Sequence, residues 1–351
     1  MKWAILGTGS VSRKFCLGLA ALGDTASVGA VASRNPDNAR AFTTTLGLGQ
    51  AVETYEAAVQ SPDTDAVYIA TPPGLHEAHA KLAFAAGKPA LIEKPLAADA
   101  SAAQRIADAA DAAGVFAMEA MWTRFQPLIT QINARLDANA LGDLRGFQGS
   151  FMSANIPDPQ ASLFQPENGG ALLHRGVYPL SLARLFLGPV TEVQACARLG
   201  ETGVDEDMIL TLRHQSGALS DIRTSLRSSG RNNATIWGSH GRIELDGPIW
   251  RPERAALVKS PPAKVTVPTP RKFEAFRESR MGQRIAKIRG QLKPGGAETL
   301  KAGFIGNGYA HEADHLMQAV AAGRLQSEIM PLAQSVEILQ IVDQALAQIR
   351  R

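Results

Sequence analysis

The sequence predicts an α/β chain in two parts: a doubly wound parallel sheet over residues 1–121, then an α+β half of mainly antiparallel strands over residues 122–351. Three observations carry that expectation. Up to Met121, short apolar runs alternate with alanine-rich helical segments, as in strands joined by crossover helices. Beyond Pro127 the pattern becomes period-two segments separated by hairpin-type turns. A glycine-rich turn also stands between the first strand and the first helix.

The first strand is Trp3-Ala4-Ile5-Leu6, and Gly7-Thr8-Gly9-Ser10-Val11-Ser12 turns it into a helix running to about Leu22. Gly7 permits the tight turn, Gly9 lets the backbone approach a pyrophosphate, and the free amides and helix dipole favour an anion. Ser12 replaces the third glycine of this dinucleotide fingerprint and is small enough for helix and strand to pack closely. A Rossmann sheet is therefore expected. The second strand, Val28 to Ala32, ends in Ser33-Arg34 rather than in an acid. A guanidinium can fork onto a 2′-phosphate, so NADP is expected over NAD, although NAD is possible if Arg34 only caps its loop.

Further strands run over Asp65 to Ala70, Ala90 to Glu93 and Val115 to Ala120, with helices over Ala78 to Ala86 and Asp99 to Ala113. Loops beyond the carboxyl ends of such strands form the ligand crevice. Thr71, Pro72, His76, Glu93 and Lys94 should therefore converge on whatever Gly7 to Val11 binds. Lys94 lies where hydride chemistry would occur, and its ammonium could hydrogen-bond the oxygen of a carbinol or carbonyl. The plain alternative is a surface Glu-Lys pair.

In the second half, strands are expected over Leu144 to Met152, Thr191 to Leu199, Met208 to Leu212, Leu219 to Leu226, Ala234 to Trp237 and Arg242 to Leu245. Gly169 to His174 begins a helix, and the last helix runs from about Leu332 to Ile349. His174 and Tyr178, four apart, share a helix face. Tyr178 has a hydroxyl for proton transfer, and lowering its pKa would need a cation such as Lys94.

Composition narrows the classes. With 45% hydrophobic and 20% charged residues the chain can bury real cores, and no apolar run is long enough to span a bilayer. No membrane partner is expected, and a strand beginning at Lys2 suggests no signal peptide and a cytoplasmic protein. Cys16 and Cys196 give no disulfide framework and read as buried packing residues. The net charge of +3 gives no case for nucleic acid. Yet Arg271 to Lys293 holds eight Lys and Arg against two Glu, an excess of +6. With Pro261 to Pro270 before it, and Phe273, Phe276, Met281, Ile285, Ile288 and Leu292 within it, this segment reads as a loop leading to a basic amphipathic helix. Its apolar stripe is expected to pack on its own chain or a sister subunit, with contact to a membrane surface or nucleic acid as the alternative.

One motif points elsewhere. His311-Glu312-Ala313-Asp314-His315 matches H-E-x-x-H, in which two histidines bind zinc and the glutamate activates water. A hydrolase has no need of the nucleotide-binding half, and no third ligand is identifiable, so no metal is expected.

Together these residues resemble the Gfo/Idh/MocA family, named for glucose-fructose oxidoreductase, inositol dehydrogenase and rhizopine catabolism. The likeness rests on Ala4 to Gly9, Ala32-Ser33-Arg34, Asp65 to Pro72, His76, Gly87-Lys88-Pro89, Glu93-Lys94-Pro95-Leu96 and Gly169 to Pro179. Glu119 to Phe125 with Pro127 looks most like the branch containing dimeric dihydrodiol dehydrogenase and NADP-dependent xylose dehydrogenase. The resemblance implies a hydride-transferring dehydrogenase acting on a sugar, polyol or cyclic diol, with Lys94 and Tyr178 catalytic. It implies an open second sheet whose exposed face forms a homodimer or larger homo-oligomer. It places Trp122 and Trp250 at the substrate, and Arg124 is expected beside them. His174 departs from the family, which usually has an aspartate there, and is carried as a third catalytic candidate. A non-catalytic sensor of nucleotide or sugar is the alternative, and the presence of both Lys94 and Tyr178 argues against it.

Overall fold

The computed structural model describes residues 1–260, 262, 274–291 and 297–350. β1 (Lys2–Leu6), β2 (Ser27–Ala32), β3 (Gln50–Ala51), β4 (Ala66–Ile69), β5 (Ala90–Glu93) and β6 (Ala117–Ala120) form one sheet in the order β3-β2-β1-β4-β5-β6. Every pairing is parallel. This is the doubly wound order in which the chain reverses beside β1. The central strands read as continuous apolar runs because both faces are buried. β3 escaped the sequence reading because two residues carry no period.

β1 ends at Gly7, whose φ of +105° suits glycine, and an added Cβ would lie 2.7 Å from the Ala70 carbonyl oxygen. The first helix, Ser10–Ala20, stops short of Leu22. The helix before β5 begins at His76, two residues earlier than the expected Ala78, and Asp99 caps the helix Ala100–Ala113 through the Ala102 amide at 2.7 Å.

The second sheet contains β7 (Leu144–Met152), β8 (Val190–Leu199), β9 (Asp205–His214), β10 (Leu219–Ser225), β11 (Ala234–Gly238), β12 (Gly241–Leu245), β13 (Arg254–Lys259) and β14 (Glu298–Lys301). Its order is β14-β13-β12-β11-β7-β10-β9-β8, antiparallel except between β7 and β10. In β9, Met208, Leu210 and Leu212 turn inward, while Ile209, Thr211 and Arg213 lie on an open face. Cys196, opposite Ile209 in β8, shares that face and is exposed, which corrects its reading as a packing residue. Alternating strands bury only one face, and Cys196 falls on the other parity. Cys16 is buried as expected. β13 and β14 went unread, since β14 has a single apolar residue among Glu298, Thr299, Leu300 and Lys301.

The basic segment holds two helices rather than one, Glu274–Glu278 and Arg280–Gln291, with the Ser279 hydroxyl accepting from the Gly282 amide at 3.1 Å. Phe273 and Leu292 lie outside the described residues. Phe276, Met281 and Ile285 are 45%, 64% and 41% exposed among the described residues, so this part of the stripe is only partly covered by its own chain. Among the described residues, no helix is long and apolar enough to cross a membrane.

Two helices from the second half pack on helices of the first. Leu332–Ile349 packs on Ala100–Ala113 and on β8: Asp343 accepts from the Ala100 amide at 2.9 Å, and Gln348 hydrogen-bonds the Ala195 amide and the Val193 carbonyl, each at 2.9 Å. The helix Ala310–Ala321 meets the first helix at Gly18, where a Cβ would sit 2.9 Å from that of Tyr309.

Candidate active site

A nucleotide cradle is present at the end of β1. A Cβ built on Gly9 meets nothing within 4 Å, and the following helix has neither a side-chain cap nor an acid in its first turn. Its amides remain available to a pyrophosphate. Across the cradle, Thr8 donates to the Ser33 hydroxyl at 3.3 Å, and Arg34 is exposed. The nearby acids Asp37 and Glu53 are engaged by Arg40. The residues therefore fit a dinucleotide. Thr71 lies on the facing loop, its hydroxyl 2.9 Å from His79 Nδ1, and Pro72 beside it is exposed.

Lys94 follows the last residue of β5 and is partly buried, and its peptide bond to Pro95 is cis. Its Nζ lies 3.5 Å from the His174 carbonyl and 5.2 Å from the Tyr178 ring centroid. Burial lowers the Lys94 pKa, opposed by Glu93 and reinforced by the charge of Arg175. Tyr178 is raised instead, first by burial and then by Glu93, so its phenol keeps its proton at neutral pH. The Trp122 indole beside it opposes that rise.

His174 shares this region through a π-helical turn, Leu172–Gly176, that precedes the helix Val177–Leu187. Its Nε2 lies 2.7 Å from the Asn168 carbonyl, so the ring donates there and leaves Nδ1 as an acceptor. Burial, then Lys94 and Arg175, lower its pKa to about 4. It is therefore neutral where an unperturbed imidazole would begin to titrate.

Aromatic rings line the cleft. Trp250 stacks on Phe151 at 4.1 Å and Phe151 meets Tyr178 at 5.4 Å, while Trp122 stacks on Tyr309 at 4.3 Å. The Thr123 hydroxyl donates to the Trp250 carbonyl at 2.7 Å and links the two sets. Phe151 and Tyr309 were not singled out in the sequence. Phe151 is one inward position among several in β7, and Tyr309 precedes a motif that drew attention to zinc.

Three expected contact residues face elsewhere. Arg124 is 1% exposed and donates to the Ser181 hydroxyl and carbonyl, the Ile329 carbonyl and Gln334 at 2.6–3.1 Å. It braces the core rather than a substrate, because a buried guanidinium must fill its donors with acceptors. Glu93 turns inward, accepting from the Tyr68 hydroxyl at 2.5 Å and the Lys94 amide at 3.1 Å, and burial raises its pKa to about 7. His76 is 1% exposed, with Nε2 2.7 Å from the Thr71 carbonyl and Nδ1 3.1 Å from that of Leu96. It is a strut between the loops after β4 and β5.

The family profile described as an oxidoreductase family with an NAD-binding Rossmann fold matches residues 1–121, and the GFO/IDH/MocA C-terminal domain profile matches 129–244. The chain belongs to the GFO/IDH/MocA oxidoreductase family. Trans-1,2-dihydrobenzene-1,2-diol dehydrogenase of Xenopus tropicalis is 30% identical over 351 residues, covering 99% of this chain and 98% of that one. KijD10, a 3-ketoreductase from Actinomadura kijaniata seen with NADP and TDP-benzene, shares 26% identity and a TM-score of 0.78, covering 99% and 97% of the two chains. A levoglucosan dehydrogenase complexed with NADH and levoglucosan has a TM-score of 0.81 at 20% identity, covering 99% and 97%, a likeness of fold alone.

In this NAD(P)-binding oxidoreductase the H-E-x-x-H spacing serves packing. His311 Nε2 accepts from the Ile305 amide at 3.0 Å and His315 Nε2 lies 2.8 Å from the Ser327 hydroxyl, so the rings have separate partners. Glu312 is fully buried, and burial raises its pKa well above the ordinary value.

His76 generates a pH prediction. Burial lowers its pKa from 6.5 to about 4, so the folded state binds fewer protons than the unfolded chain between those values. Stability is fully present above the unfolded pKa and is lost as pH falls through the folded one, by about 3 kcal/mol from this group. Urea-unfolding free energies should drop less steeply in His76→Asn than in the parent between about pH 7 and 4. Parallel slopes would refute this account.

Proposed function

We propose that the chain transfers hydride between NADP and a carbinol or carbonyl carbon of a sugar, polyol or cyclic diol. The observation carrying this reading is the placement of the partly buried Lys94 Nζ 5.2 Å from the Tyr178 ring, at the carboxyl end of β5. When bound, the cofactor supplies or accepts the hydride at its nicotinamide. Gly7 to Val11 would hold the pyrophosphate, with Thr71 and Pro72 on the facing side. Lys94 would donate a hydrogen bond to the reacting oxygen and stabilise its developing charge. Tyr178, protonated at neutral pH, would give its proton to that oxygen in reduction and recover one in oxidation. His174 would contribute a neutral acceptor, and Trp122 and Trp250 would wall the ring of the substrate. The dihydrodiol and sugar enzymes among the relatives support this substrate range.

Ser33 and the exposed Arg34 favour NADP, since no carboxylate stands at the end of β2 to receive a ribose diol. A cytoplasmic setting suits the two unpaired cysteines. Ile209 and Leu219, each 46% exposed, and Leu199, 42% exposed, support association through the open sheet face.

Arg34→Ala should narrow the ratio of NADPH to NADH affinity in binding titrations, and an unchanged ratio would refute the NADP assignment. Lys94→Ala should hold NADPH affinity within a few-fold while turnover falls about 100-fold or more. Near-parental turnover would remove Lys94 from the chemistry. Ile209→Asp should shift the protein toward monomer in sedimentation velocity, whereas a monomeric parent would refute association through this face.

A further inference from the structure

Arg175 follows His174 in the π-helical turn, and no role has been assigned to it. Its guanidinium carbon lies 4.8 Å from the centroid of the Phe151 ring, the ring that stacks on Trp250 and meets Tyr178. Among the described residues no carboxylate pairs with Arg175, and its Nε is buried without a hydrogen-bond partner. The buried Arg124 has four hydrogen bonds and the half-buried Arg184 binds Glu337, whereas Arg251, over the Phe304 ring at 4.7 Å, shares with Arg175 a buried Nε without a partner but donates to the Asn307 carbonyl at 3.4 Å.

The cleft carries a second cation, Lys94, with Glu93 and Glu119 beside it. Glu93 is held by Tyr68 and the Lys94 amide, and Glu119 Oε1 accepts from the Leu96 amide at 3.0 Å. The charge of Arg175 helps to lower the pKa values of both Lys94 and His174. Lys94 has Glu93 and Glu119 to offset its charge, whereas Arg175 has no carboxylate partner among the described residues, and a desolvated unpaired cation is costly unless a ligand supplies an anion. Phe151 covers a face of the guanidinium, which leaves its edge for the paired N–H bonds that suit a carboxylate or phosphate.

We propose that Arg175 anchors an anionic group of the substrate, a carboxylate or phosphate borne close to the reacting carbinol. The substrate class is thus a sugar acid or sugar phosphate rather than a neutral sugar. This inference rests on the oxidoreductase reading of the cleft and narrows it.

The test compares D-glucuronate and D-glucose 6-phosphate with D-glucose on the NADP-loaded protein, measuring Kd by calorimetry and turnover separately. At least one anion should bind about 10- to 100-fold more tightly than glucose, and the pair identifies which anion is preferred. Arg175→Met should abolish that difference, and Arg175→Lys should restore part of it, with NADPH affinity retained in both. Glucose binding as tightly as both anions would overturn the proposal, whether or not glucose is oxidised. So would discrimination that survives in Arg175→Met, or a loss of NADPH affinity matching the loss of anion affinity, which would assign the arginine to the cofactor. Anions that bind through Arg175 without turnover would keep the anchor and refute the hydride-transfer reading.

Discussion

The burial of Glu93 at the end of β5 is the constraint around which the site is arranged. A carboxyl group sunk between sheet and helices must find donors, and it takes the Tyr68 hydroxyl and the amide of the next residue. Those bonds fix where the chain leaves the strand. Lys94 is thereby directed toward Tyr178 while its neighbour points into the interior. The same acid acts oppositely on the two groups above it, favouring charge on Lys94 and opposing charge on Tyr178. One buried carboxyl therefore helps to keep the ammonium charged and the phenol protonated.

Much of this was legible because backbone demands leave strong sequence marks. Gly7 must approach Ala70, strands buried on both faces must be apolar, and loops after parallel strands must face one crevice, so the cradle and Lys94 could be located from residue types alone. What failed was the direction of individual polar side chains. Arg124, Glu93 and His76 stand in or beside the right loops, yet each turns into the protein, and nothing in a linear sequence reports which way a side chain leaves its loop. Arg175 was hidden for a related reason. No motif marks it, and its contact is with Phe151, 24 positions earlier in the chain. The H-E-x-x-H spacing misled in the other direction, since one-turn spacing is also what a packed helix uses.

The cleft gathers groups that each resist the charge they would carry in water. Burial lowers Lys94, Arg175 and His174 and raises Tyr178. Such shifts cluster where chemistry is performed, because a dry setting strengthens every interaction with a bound ligand. The residues around the cleft are tied by hydrogen bonds. His76 ties two loops, Thr123 ties two aromatic sets, and Arg124 holds the turn carrying Trp122 against the last helices.

The helix Leu332–Ile349 lies against both Ala100–Ala113 and β8, and its Asp343 takes up the amide of Ala100. During synthesis Ala100–Ala113 is made well over half the chain before this last helix, so the ribosome exposes the outer face of that helix long before its cover exists. The nucleotide-binding half then waits, with an apolar flank open to solvent, until the final helix emerges. A nascent chain stalled in the basic segment would present that flank, making it the surface most in need of a chaperone.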